Sequence, residues 1–297
     1  MDQPVPIAKI ENLLLSTDGS EYSEGAVREA VNLAKMTSGS LTAVAVVETN
    51  PEYEALAPDR ADMADQKTRE YLDIVKKMAS LEGVECETLA FHSESVFKVI
   101  VEEAEKRNID MIVMGRRGRT GLKRLLMGSV TAKVIGHSPC NVLVVPKAAG
   151  IECRKLLVAT DGSKYSMAAA TEAVEIAGRC GAALYVVSAF PSGSSSPFDA
   201  VHSEMLEGPI EQYEMREAEK NVKDVMLIAE QEGISAQAIV ESGPPYEAII
   251  ETAEKEKIDL IVMGSHGRTG MERLLMGSVA ERVVGHAACA VLVVKNK

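Results

Sequence analysis

Two glycine-rich loops in this chain have the residue types and the spacing to hold a phosphate. The first runs Gly115-x2-Gly118-x9-Gly128-Ser129, the second Gly264-x2-Gly267-x9-Gly277-Ser278. Glycines let a backbone approach an anion closely, because no Cβ intervenes. In each loop the closing Gly-Ser stands where an amphipathic stretch begins. The free N–H groups of Ser129-Val130 and Ser278-Val279, at the positive end of a helix dipole, favour an anion there. Each serine hydroxyl adds a donor. A lone Gly-x2-Gly says little, but residues 109–137 and 258–286 agree at 20 of 29 positions, so the loop is a repeated device.

Each half adds an aspartate just past its first apolar run, Asp18 and Asp161, in a Thr-Asp-Gly-Ser turn. A carboxylate beside a polyphosphate is repelled unless it meets a divalent ion bound to the phosphates, a ribose or a base. Asp18 and Asp161 suit any of the three. The plainer reading is a turn aspartate bonding its own backbone. The third wall is the end of the second strand, near Val46 and Ala189. The first loop is the more basic, with Arg116, Arg117, Arg119, Lys123 and Arg124, where the second has Ser265-His266 in place of Arg116-Arg117. Such arginines either clamp phosphates or reach into solvent. The charge difference predicts that the first site tolerates more negative phosphates better.

No Gly-x4-Gly-Lys-Ser/Thr places a P-loop lysine, and no base is obviously paired with a nucleophile. His137 and His286 recur, each three residues before Cys140 or Cys289. They fall at the far end of the last helix, where a histidine faces the negative end of the dipole.

The elements that must position these residues follow from the apolar runs. Strands are expected at residues 12–16, 41–47, 86–91, 111–114 and 142–145. Helices are expected from about residue 66 to 81 and over 96–106, with Ser20 as a cap for the helix that ends at Gly39. Residues 49–65 read as a loop or the ragged start of a helix. Alternating strands and helices, with runs too apolar for a wet face, imply a mostly parallel sheet covered on both sides. In the order 3-2-1-4-5, strands one and four flank the reversal outside which ligands sit. Residues 146–153 are a linker, and the second half restarts at Lys155. The offset between halves is 143 residues at the aspartates and 149 at the glycine loops. The six added residues are assigned to the Ser/Gly/Pro stretch 191–209, a surface connection or a flap. The domains are 1–149 and 150–297.

Composition sets outer bounds. At 297 residues, with 32 Lys and Arg against 44 Asp and Glu, the net charge of −12 argues against non-specific nucleic-acid binding. Five cysteines show no CxxC pair or metal-ligand spacing and read as small core residues. Neither a signal-peptide pattern nor a transmembrane-length apolar run is expected, and the cytoplasm is the default.

At these residues the chain resembles the universal stress protein family in tandem form, through both Gly-x2-Gly-x9-Gly-Ser loops, the Asp-Gly-Ser turns and the closing Val-Leu-Val-Val strands. The resemblance implies two Rossmann-like (adenine nucleotide alpha hydrolase-like) domains, each a five-stranded parallel sheet between helices. It implies ATP or AMP, often with Mg²⁺ or Mn²⁺, held by the glycines and serine at ribose and phosphates and by the aspartate and strand-two end at adenine. It also implies antiparallel pairing of Val142–Val145 with Val291–Val294 inside one chain, leaving a homodimer of whole chains as a separate alternative. The family's Gly-x-Pro turn appears as Gly243-Pro244-Pro245 but as Glu94-Ser95-Val96 in the first half. The function expected is adenine-nucleotide binding in a stress or regulatory role. The alternatives are a slow ATP hydrolase or nucleotidyl transferase, and an interaction protein with vestigial sites.

Overall fold

The computed structural model describes residues 10–49, 58–118, 127–191, 207–268 and 276–296. In the first half the strands are β1 (Asn12–Ser16), β2 (Ser40–Glu48), β3 (Cys86–Ser93), β4 (Met111–Gly115) and β5 (Asn141–Val145). Its helices are α1 (Glu24–Thr37), α2 (Pro58–Leu81), α3 (Val96–Lys106) and α4 (Ser129–His137). The second half repeats them as β6 (Lys155–Ala159), α5 (Lys164–Cys180), β7 (Ala183–Phe190), α6 (Glu207–Gln231), β8 (Ala236–Ser242), α7 (Pro245–Glu256), β9 (Leu260–Gly264), α8 (Ser278–His286) and β10 (Ala290–Val294).

All ten strands form one sheet, in the order β3-β2-β1-β4-β5-β10-β9-β6-β7-β8. Each half has the expected order 3-2-1-4-5, and its strands run parallel. Among the described residues the one antiparallel pair is β5 with β10, where Leu143 faces Leu292. Leu13, Leu14 and Leu15 are all fully buried, which requires cover on both faces. One core layer packs under α1, α2, α5 and α6, the other under α3, α4, α7 and α8, and both run through the two halves. Among the described residues no helix is long and apolar enough to cross a membrane.

Local differences from the expectation have physical causes. Helix α2 starts at Pro58, eight residues before the expected start, because proline suits a first helical turn. Ser20 does not cap α1; its hydroxyl donates to Asp18 Oδ1 at 2.7 Å, and a short 3₁₀ turn, Glu21–Ser23, intervenes. Its counterpart Ser163 does cap α5, accepting from the Ser166 N–H at 3.2 Å. The left-handed residue after α1 is Ser38 (φ 54°), not Gly39. Gly39 is needed for close approach, since a Cβ there would lie 2.9 Å from Thr37 Oγ1.

Strand register corrects the account of the added residues. Leu41 faces Cys86 in β2–β3 and Leu184 faces Ala236 in β7–β8, an offset of 143 on one strand and 150 on the next. The second half therefore gains seven residues before β8. It loses one before β9, where Leu13 facing Met111 corresponds to Leu156 facing Leu260 at an offset of 149. Residues 192–206 of the expected flap lie outside the described residues. The linker packs onto the first half: the Ile151 N–H donates to Glu29 Oε2 at 3.3 Å.

Candidate nucleotide site

In the second half a cavity of about 340 Å³ opens at the carboxyl ends of β6, β7 and β9. It brings together Asp161, Ala189, Gly264, Gly267, Gly277, Ser278 and Val279, the second-half residues the sequence assigns to a nucleotide. Its volume lies in the range of small-molecule sites, roughly 300–1,000 Å³. Ala159, Val187, Ile249 and Met263 give it an apolar wall, and Glu214, Asn221, His266 and Arg268 give it polar groups.

Asp161 ties the turn after β6 to the glycine loop. Its Oδ1 accepts from the Ser163 N–H at 3.0 Å and its Oδ2 from the Arg268 N–H at 2.9 Å. The Arg268 Nε donates to the Asp161 carbonyl at 2.7 Å. Burial pushes the Asp161 carboxyl up, but hydrogen bonds from Ser163, Ser166 and the Arg268 N–H outweigh it and hold the group below its ordinary value. The turn reading and the site reading thus both describe this residue.

The glycines divide the work. A Cβ at Gly267 would lie 2.6 Å from Asp161 Oδ2, so only glycine lets the loop close on the carboxylate. A Cβ at Gly264 would lie 2.7 Å from the Tyr165 carbonyl, so this glycine serves packing of β9 against the start of α5 as well as lining the cavity. Gly277 is the N-cap of α8, and having no side chain it leaves the first-turn N–H groups without a capping oxygen. A Cβ on it would meet nothing closer than 3.4 Å. The room beside it is space that an anion can occupy.

His266 sits in the cavity wall with Ser265 Oγ 3.1 Å from its Nδ1 and the Tyr165 ring 5.3 Å away. Ser265 is buried and does not line the cavity, so the contact orients the imidazole and exposes no nucleophile. Arg268, Glu214, Asn221 and Pro245 escaped the sequence reading. Arg268 follows Gly267 as Arg119 follows Gly118, and Glu214 and Asn221 stand seven apart on one helix face; those signals were present. Pro245, from the Gly-Pro-Pro turn, opens α7 and reaches the cavity.

The first half keeps the frame. Gly128 N–H donates to the Arg116 carbonyl as Gly277 N–H does to that of Ser265, both at 2.9 Å. Asp18 accepts from the Ser20 N–H at 3.0 Å, and a Cβ on Gly118 would lie 3.0 Å from its Oδ2. The cavity beside Asp18, about 570 Å³, is a different one: Gly19, Ala45, Lys67 and Tyr71 line it with Asp18, on the α1–α2 side. Gly115, Gly118, Gly128, Ser129, Val130 and Val46 are not in its lining. Gly115 meets the Tyr22 carbonyl as Gly264 meets that of Tyr165. Val46 packs on the opposite core layer.

Arg116 requires a correction. Its Nη1 donates to the carbonyl of Ala287, the C-cap of α8 in the other half, at 2.8 Å. Its Nε is buried without a partner, and burial pulls its pKa down. A guanidinium so placed caps a helix of the second half, where the sequence had offered a phosphate clamp or a solvent-facing arm. Arg119, Lys123 and Arg124 lie outside the described residues.

The described residues hold no group of three or more His, Cys, Asp or Glu that could bind a metal. Asp161, whose oxygens each accept one N–H bond, stands in no such group, so a protein-held ion has no ligand set among these residues. His137 and His286 end α4 and α8, as expected. His286 Nδ1 lies 2.7 Å from the Arg282 carbonyl, and burial pushes the Cys289 thiol up to about 12.

Comparison with known proteins fits this geometry. The model of the universal stress protein family matches residues 9–146 and again residues 152–295. A universal stress protein of Methanocaldococcus jannaschii is 41 % identical over 143 residues, 48 % of this chain and 82 % of that protein. A crystal structure of a universal stress protein from Archaeoglobus fulgidus superposes with a TM-score of 0.70 at 22 % identity, covering 96 % of each chain. One from Pseudomonas aeruginosa gives 0.68 at 22 % identity, over 96 % of this chain and 93 % of that one. At that identity the two structures speak for the fold.

Proposed function

The chain belongs to the universal stress protein family, and from that premise we propose that it binds an adenine nucleotide, ATP or AMP, in its second-half cavity as a regulatory or stress-response protein. Binding, not turnover, is the activity. The observation that carries this reading is the convergence of Asp161, the glycine loop and the open N-terminus of α8 on one space. The α8 N–H groups and Ser278 suit phosphates. The wall of Ala159, Val187, Ile249 and Met263 suits a planar base, with Asn221 and Glu214 as polar partners. A divalent ion would enter with the phosphates. The domains on either side of the linker, 1–149 and 150–297, each carry such a frame, and the second is the better formed.

The test is thermal denaturation of the whole protein with ATP and with AMP. At about 100 Kd a ligand stabilises by roughly 2.7 kcal/mol. Wild type and Gly128→Val should rise in melting temperature, and Gly277→Val should not. A nucleotide-independent melting temperature in wild type sinks the proposal in favour of an interaction protein. Steady ATP turnover that Gly277→Val abolishes would make it a hydrolase.

A further inference from the structure

Two thiols outside the cavity meet where the linker enters the second half. Cys153 lies just before β6, and Cys180 is the last residue of α5. The two thiols lie within interaction range, each being the largest influence on the other's proton. The chain path brings them together. Gly181, left-handed at φ 66°, turns the chain out of α5, and the Ala183 N–H then donates to the Arg154 carbonyl at 2.9 Å. The equivalent positions of the first half, 143 residues earlier, are Ile10 and Thr37. Only the second half puts sulfur at both positions. Cys153 also holds a φ of 48°, uncommon for a residue with a side chain. It is buried, while Cys180 is half-buried and within reach of a small oxidant.

We propose that Cys153 and Cys180 are a reversible redox pair, oxidised by hydrogen peroxide to a disulfide that clips the linker to the end of α5. The Cys180 thiolate attacks one peroxide oxygen, the O–O bond breaks, and the second oxygen leaves as water after taking up the thiol proton. The Cys153 sulfur then attacks the resulting sulfenic sulfur; the S–S bond forms and the hydroxyl leaves as water with the Cys153 proton. Two thiols are oxidised and one peroxide is reduced to two waters. The order of roles follows from the environment. The neighbouring Cys153 thiol pulls the Cys180 thiol down, and the Cys180 thiol, with burial, pushes Cys153 up. The sulfurs must close to about 2.05 Å, and Cys153 lies in the irregular segment 146–154, outside any helix or strand. The closed loop, residues 153–180, contains β6 and the Asp161 turn.

The test uses the full-length reduced protein and stoichiometric hydrogen peroxide, followed by alkylation and non-reducing peptide mapping. Of the five cysteines, Cys153 and Cys180 should vanish together from the alkylated pool and appear as one linked peptide. Dithiothreitol should restore both, and the oxidised protein should melt higher. Cys180→Ser, at a half-buried helix end, should keep its remaining thiols and lose the peroxide-dependent rise. Five alkylated thiols after peroxide overturn the proposal. So does a linked peptide joining another pair, an intermolecular link, or a melting response that persists in Cys180→Ser.

Discussion

Asp161 holds its two oxygens on two pieces of chain, the Ser163 N–H of its own turn and the Arg268 N–H of the glycine loop. A carboxylate so placed links pH to stability. Its folded pKa is depressed from 3.8, so its contribution is complete above that value and is lost as pH falls through the lower folded value. Asp161→Asn should therefore lower stability at pH 7 by about 1 kcal/mol, allowing for the screening of a partly exposed group. The gap between variant and wild type should shrink toward pH 2. Urea titrations at pH 7 and in acid measure this, and a gap unchanged across that span contradicts the linkage. At this scale the sequence showed which residues meet in the second half, because repetition marks them. It did not show that Arg116 faces Ala287, 171 residues away, since no periodicity records such a contact. The two courses weighed for Arg116, a phosphate clamp or an arm in solvent, therefore left out the one it takes, a bond to the end of α8.

The loop-to-helix junction separates glycines that close packing requires from one that it does not. Gly267 abuts a carboxylate and Gly264 abuts a carbonyl, whereas Gly277 has φ −67° and open space around its missing side chain. Valine at Gly277 should thus leave the unliganded protein within about 1 kcal/mol of wild type, the cost of a β-branched residue at an N-cap, while removing the nucleotide-induced shift. Chemical denaturation without ligand reads the first quantity. Unfolding of the variant in native buffer would mean that Gly277 is structural after all. Elements were more legible than their ends. The apolar runs that gave β1, β4 and β5 are short, continuous and bounded by turns. The start of α2 was hidden because Pro58 and its neighbours are polar and carry no apolar period, and the left-handed turn at Ser38 carries no glycine to mark it.

The whole molecule is one sheet with two core layers that cross the β5–β10 seam. The seam is reinforced from both sides: Arg116 of the first half bonds the end of α8, and Lys295 of the second donates to the Ile135 carbonyl in the last turn of α4 at 2.8 Å. The strands of each half followed from apolar patterning and their order entered as a condition, but the seam entered only through family resemblance, since nothing local in Val142–Val145 distinguishes a partner in the same chain from one in another. A shared core makes a definite prediction about cooperativity. Leu14 is fully buried in the first half, and Leu14→Ala should cost about 3 kcal/mol. If the halves unfold together, that loss lowers the melting temperature of both by the same amount, roughly 5 °C for a chain of this size. The chain has no tryptophan, so Tyr71→Trp and Tyr185→Trp provide one reporter in each half, next to Gly19 and in the buried face of β7 respectively. Both reporters should give coincident midpoints with and without Leu14→Ala. A Tyr185→Trp midpoint that stays in place while Tyr71→Trp shifts would show that the seam joins two independently folding halves.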